Sequence, residues 1–149
     1  MSGLQGKRIL FGVTGSIAAY KAAQWVREMV KEEALVTVVM TGAAERFVSP
    51  LTFAALSGNP VHRDMFDESP DGVMAHINLA READALLIAP ATAQTIARLA
   101  GGMADTLLSA IALAARIPVA ICPAMNSAML NHPADRKSTR LNSSHGYIS

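Results

Sequence analysis

The sequence predicts a doubly wound α/β fold on a mostly parallel sheet. Three observations point there. Short aliphatic and β-branched runs alternate with stretches of helical spacing, small aliphatic residues rather than aromatics supply the core, and the apolar runs end in Gly, Ser, Thr, Pro and Asn. Strands covered by helices on both faces read as continuous apolar runs, not as alternating ones. A chain of 149 residues is one domain's length and can bury a core. Hydrophobic residues make up 51% and charged residues 17%, outside the range of disordered chains. Aromatics are only 5%, with Trp25 the single tryptophan.

Arg8 to Val13 reads as a buried strand that enters a turn at Thr14-Gly15-Ser16. Ile17 to Lys31 then has helical spacing, with Ala18, Ala22, Trp25 and Met29 on one stripe. Leu35 to Met40 is the second strand, which completes a βαβ unit. Such crossovers are right-handed and make the two strands parallel. Gly42 to Val48 and Pro50 to Ser57 read as two short helices, the second with Ser49 as N-cap and Pro50 in its first turn. Asn59 to Gly72 is polar and rich in turn residues. Ala85 to Ala89 is a third strand and Thr92 to Ala100 a helix, broken by Gly101-Gly102 before a further helix from Asp105 to Ala115. Val119 to Cys122 is the fourth strand. No repeat of fixed period is present.

The last residues, Asp135 to Ser149, differ in kind, being rich in Ser, Asn and Arg with little periodicity. They carry three basic residues and one acidic residue, so the formal +1 charge of the chain becomes −1 without them. Their abrupt onset has the look of foreign sequence, such as read-through of a library adaptor; a disordered native tail is the other reading. The domain is therefore expected to span residues 1–134. No basic block suggests nucleic acid. The most apolar stretch, Leu107 to Met125, is interrupted by Arg116, Pro118 and Pro123, which favours helix, turn and buried strand over a membrane span. No signal peptide is apparent, and the single Cys122 has no internal disulfide partner, so a reducing cytoplasm is expected.

In open parallel sheets ligands bind beyond the carboxyl ends of the strands. Four such ends carry suggestive residues: Thr14-Gly15-Ser16-Ile17, Thr41-Gly42-Ala43, Pro90-Ala91-Thr92-Ala93 and Pro123-Ala124-Met125-Asn126. Gly15 allows close backbone approach, and a helix starting near Ser16 would aim free N–H groups at an anion. The same turn also reads as a plain strand–helix connection with an N-cap. Neither Gly-x-x-x-x-Gly-Lys-Ser/Thr nor Gly-x-Gly-x-x-Gly occurs there, which disfavours phosphoryl transfer and ordinary dinucleotide binding. His76 precedes the third strand and carries an imidazole, a group suited to proton transfer at neutral pH, although a lone histidine is more often structural. His62, His132 and His145 have no metal-ligand spacing with it, so no zinc or iron centre is expected. Asn126 could fix a carboxylate or amide, or serve as a helix N-cap.

Taken in order, these stretches resemble the flavin-containing cysteine decarboxylases. The resemblance rests on Gly12 to Lys21, Met40-Thr41, Ala75-His76-Ile77-Asn78-Leu79, Ala89 to Ala93, Gly102-Met103-Ala104-Asp105 and Pro123 to Asn126. Any one motif is weak, but six in register are specific, and the resemblance covers roughly Lys7 to Ala134. The resemblance implies a flavodoxin-like, three-layer fold assembled into trimers or multiples of trimers, with FMN at the subunit interface. It assigns Gly15, Ser16 and Ile17 to the phosphate-side loop, Thr41 to a second FMN loop, and Thr92, Ala93, Gln94 and Thr95 to a third. Ala124 is a further FMN contact. His76 is then the catalytic base, and Asn126 holds the substrate carboxylate.

The activity implied is FMN-dependent decarboxylation of 4'-phosphopantothenoylcysteine to 4'-phosphopantetheine in coenzyme A biosynthesis. A cysteine carboxylate cannot lose CO2 until its side chain is oxidised to a thioaldehyde, whose C=S accepts the electrons; the cofactor supplies that oxidation. The alternatives are a peptidyl-cysteine decarboxylase of the same fold, a non-catalytic FMN-binding subunit or regulator, and a general nucleotide-binding α/β domain. A flavin prenyltransferase would not be expected to carry the His76 motif. Two departures stand out. Asn78 replaces the Glu usual in the His-Ile-Glu-Leu motif, a change expected to be tolerated. The resemblance also ends at Asn131 to Ala134, before the Ala-Cys-Gly flap that supports the final reduction. A polypeptide of only this extent is expected to turn over poorly or to release the enethiol.

Overall fold

A computed structural model of the chain describes residues 3–63 and 77–124. His76, Asn126, His132, His145 and the segment from Asp135 to Ser149 lie outside the described residues. The described part holds four strands, β1 (Arg8–Val13), β2 (Leu35–Met40), β3 (Ala85–Ala91) and β4 (Val119–Pro123). Its helices are α1 (Ala19–Lys31), α2 (Pro50–Ser57), α3 (Ala93–Ala100) and α4 (Leu107–Ala114), with a short helical stretch at residues 77–82.

All strand pairs are parallel, in the order β2-β1-β3-β4. This is the flavodoxin-like arrangement: the chain leaves β1 in one direction to form β2, then returns to the other side of β1 to form β3. Successive side chains on a strand point to opposite faces, so each apolar run feeds two cores. Phe11, Val13, Val36, Val38 and Met40 pack with Ala19, Ala22 and Val26 of α1 and Phe53 of α2. Leu10, Leu86, Ile88 and Ile121 pack with Ile96 and Leu99 of α3 and Leu107, Leu108 and Ile111 of α4 on the opposite face. Three layers result. Gly12 belongs to this second face, where an added Cβ would lie 2.5 Å from Leu108 Cδ1, so α4 packs directly on the β1 backbone.

Several boundaries differ from the sequence expectation, each for a local reason. Helix α1 begins at Ala19 rather than Ile17, because the Ser16 hydroxyl accepts the Ala18 N–H and closes a turn first. Its buried stripe is Ala19, Ala22 and Val26, with Trp25 and Met29 only flanking it. The stretch after β2 makes a single 3-10 turn, Ala44–Arg46, since the Thr41 hydroxyl caps Ala44 and Ser49-Pro50 already opens α2. Ser49 caps α2 as expected, accepting the Leu51 N–H, and Gly58 ends it at φ 72°. Strand β3 runs two residues beyond Ala89, and Thr92 is the N-cap of α3 instead of its first residue. Helix α4 starts later than Asp105 because Thr106 and Ser109 form a reciprocal capping box. At the outer edge of β2, His62 accepts the Met40 N–H and donates its own N–H to Val38, which covers an exposed strand edge.

Phe53 is the largest side chain that α2 commits to the core and is fully buried. Phe53→Ala should therefore lower unfolding free energy by about 3–5 kcal/mol. Urea denaturation reads this; a loss below about 1 kcal/mol would mean that α2 is not packed on the sheet as described.

Candidate functional site

Three loops meet where the strand order reverses, and specific contacts bring them together. Thr14 follows β1. Its hydroxyl donates to the Pro90 carbonyl and accepts the Thr92 N–H at 3.0 Å, while its own N–H donates to Pro90 O at 3.3 Å. The loop after β1 is thereby tied to the loop after β3. On the other side, Thr41 donates its N–H to Val13 O at 3.1 Å, and an added Cβ on Gly15 would lie 2.5 Å from Ala43 Cβ and 2.9 Å from its carbonyl carbon. Only a glycine lets the loops after β1 and β2 approach so closely. In the folded chain that freedom serves Ala43 first, ahead of any ligand.

With the loops fixed, their free groups converge. Among the described residues the backbone N–H groups of Gly15, Ser16 and Ile17 have no hydrogen-bond partner. Ala93 and Gln94 occupy the first turn of α3, where backbone N–H groups lack intrahelical acceptors. The Thr92 hydroxyl accepts from Thr95 N and lies 3.0 Å from Thr95 Oγ1. Such a set of unpaired donors beside a helix start is suited to an anion such as a phosphate. Ala124 follows β4, and its N–H donates to Ala91 O at 3.0 Å, which draws the fourth strand end to the same rim.

The structure thus gathers the expected residues Gly15, Ser16, Ile17, Thr41, Thr92, Ala93, Gln94, Thr95 and Ala124 at one end of the sheet. Ile17 stands on the crest of its loop, 79% exposed. His76 and Asn126 lie outside the described residues, although Ile77 and Ala124 bring the chain close to each in sequence. Asn78 faces solvent, so an amide there in place of a carboxylate strains nothing in the core. Thr14, Ala43 and Pro90 lie in the strand ends that the sequence marks, but none of them is given a role there. No sequence signal shows that Thr14 and Pro90 meet, because Thr14 finds its partners 76 and 78 residues away.

Other features do not compete for this role. A cavity of about 280 Å3, lined by Arg8, Thr37, Asn59, Leu79 and Glu82 among others, opens at the amino ends of the strands and shares no residue with the loops above. Cys122 is half-buried, and burial pushes its thiol above the ordinary range. Among the described residues no three His, Cys, Asp or Glu side chains cluster as metal ligands.

Fold and loops together define a doubly wound α/β protein with a crevice lined by backbone N–H groups at its topological switch point. The chain belongs to the Flavoprotein family, which it matches over residues 2–148. It is 47% identical over 148 residues to the coenzyme A biosynthesis bifunctional protein CoaBC of Vibrio cholerae, covering 99% of this chain and 37% of that protein. The Escherichia coli protein of the same name is 44% identical over 145 residues, with 97% and 36% covered. The chain thus spans little more than a third of the length of these relatives. Among solved structures, the FMN-dependent cysteine decarboxylase SpaF superposes with a TM-score of 0.84 at 35% identity, covering 97% of this chain and 83% of that one. A PPC decarboxylase mutant complexed with pantothenoylaminoethenethiol gives 0.81 at 30% identity, with 97% and 82% covered.

Gly15 carries a direct test. Gly15→Ala must push apart the loops after β1 and β2, since a backbone carbon of Ala43 blocks the new methyl. We expect a stability loss of about 1–3 kcal/mol by thermal denaturation. A variant as stable as the parent would contradict the close packing.

Proposed function

We propose that this chain is the decarboxylase portion of a coenzyme A biosynthesis protein, acting with FMN on 4'-phosphopantothenoylcysteine to give 4'-phosphopantetheine. The observation that carries this reading is the convergence of three strand-end loops with unpaired N–H donors at the β1/β3 switch point, in a chain of the Flavoprotein family. Identity of 44–47% to the coenzyme A biosynthesis proteins supports the pantothenoyl substrate.

Gly15, Ser16 and Ile17 would hold the cofactor's phosphate through backbone N–H groups, with the start of α3 at Thr92 to Thr95 and Thr41 forming the adjoining walls. Ala124 would contact it from the fourth strand end. Bound FMN would supply the two-electron oxidation of the cysteine CH2–SH to a thioaldehyde, the electron sink for loss of CO2, and in its reduced form would return the same two electrons to the resulting enethiolate to give the saturated thiol. The remaining roles belong to the chain. His76 serves as the proton-transfer base, and Asn126 fixes the departing carboxylate through its amide N–H groups; both assignments rest on the motif resemblance. Orientation of the carboxylate matters because the bond to be broken must align with the π system that receives its electrons.

The chain is also proposed to act as a homotrimer or a multiple of one. Support comes from large apolar side chains left in solvent near the strand-end loops: Ile17, Tyr20, Phe47 and Leu51 are 79%, 56%, 52% and 75% exposed. Light scattering should give a mass that is a multiple of three chains, and a monomer at micromolar concentration would refute the assembly. The reaction is assigned to the cytoplasm. Among the described residues no helix is long and apolar enough to cross a membrane.

Reconstituted protein should show flavin absorption and release CO2 from 4'-phosphopantothenoylcysteine. His76→Asn should keep the flavin and lose CO2 release by about 100-fold or more, the usual worth of a general base. Full CO2 release by that variant removes His76 from the mechanism. Release only from a peptide ending in cysteine would reassign the substrate.

A further inference from the structure

We propose that Thr14 is a positioning residue for the flavin site, its buried hydroxyl fixing the third cofactor loop against the first. The inference rests on the FMN reading above and adds a residue that the sequence motifs leave without a role. Thr14 and Ser109 are the two buried polar residues among those described. Ser109 spends its hydrogen bonds locally, on Thr106 at the start of its own helix. Thr14 instead spends both faces of its hydroxyl on a loop 76 to 78 residues distant, donating to Pro90 O and accepting from Thr92 N.

The place of this link is what gives it a function. Pairing between β1 and β3 ends at Gly12 and Ile88, and the register of β3 with β4 shifts between Ile88 and Ala91. Beyond that point no sheet ladder holds the two loops in register. The Thr14 N–H to Pro90 O bond tethers the backbones, and the hydroxyl adds the second point that sets where Thr92 sits. Thr92 is the N-cap of α3, so its position determines where the first-turn N–H groups of Ala93 and Gln94 are aimed. A valine at position 14 would preserve shape and the backbone tether but lose both hydroxyl bonds. A serine would keep them.

The test compares FMN binding to Thr14→Val, Thr14→Ser and the parent by fluorescence quenching and visible circular dichroism. We expect T14V to bind FMN about ten-fold more weakly and to alter the flavin dichroism at saturation, and T14S to stay within about two-fold of the parent; ten-fold corresponds to about 1.4 kcal/mol. T14V with parental affinity and dichroism overturns the proposal. Parent protein that takes up no FMN overturns the flavin reading instead, which separates the two failures. Should T14V not fold, amide exchange of the flavin-free parent decides the matter. Thr92 N–H should exchange as slowly as the β1 amides, and fast exchange at Thr92 in the folded protein refutes the link.

Discussion

The fold and the site both depend on the reversal at β1. This strand pairs with β2 on one side and β3 on the other, all parallel, so the connections after β1 and β3 must leave the sheet toward opposite faces. A gap at the strand ends is the geometric result, and a gap lined with backbone polar groups must be closed or filled. The chain closes part of it with Thr14 and Pro90, and with Gly15 against Ala43. What stays open is a rim of N–H donors.

This division explains why similar residue types do different work within a few positions. The Thr14 hydroxyl is spent inside the fold. Ser16 and Thr41 use theirs to close local turns. Thr92 uses its side chain to cap α3 and its N–H to reach Thr14. The side-chain oxygens thus shape the loops, and among the described residues the backbone N–H groups of Gly15 to Ile17 have no partner. Anion binding by backbone dipoles needs such rigidity, because donors that must reorganise on binding lose part of their advantage.

Much of the fold was legible in the sequence. The apolar runs at Arg8, Leu35, Ala85 and Val119 became parallel strands because no polar alternation left one face for solvent, and Ser49-Pro50 opened a helix as its chemistry requires. The candidate loops were legible as strand ends, through Gly15, Thr41 and Thr92. The contacts that assemble them were not. Nothing local in Thr14 distinguishes a hydroxyl that points to a ligand from one that crosses to another loop, and Gly15 reads the same whether a phosphate or Ala43 occupies the space beside it. The start of α1 was misplaced for the same reason, since the Ser16 turn competes with the helix over two residues that periodicity alone assigns to it.

The central claim is that FMN occupies the crevice between the ends of β1, β2 and β3. Hydrogen exchange with and without FMN, resolved to single amides, tests it most directly. The account predicts slowed exchange at residues 15–17, 42–43 and 93–94, with the amino ends of the strands unchanged. Protection confined to the cavity around Arg8, Asn59 and Glu82, or no protection on saturation with FMN, would contradict it.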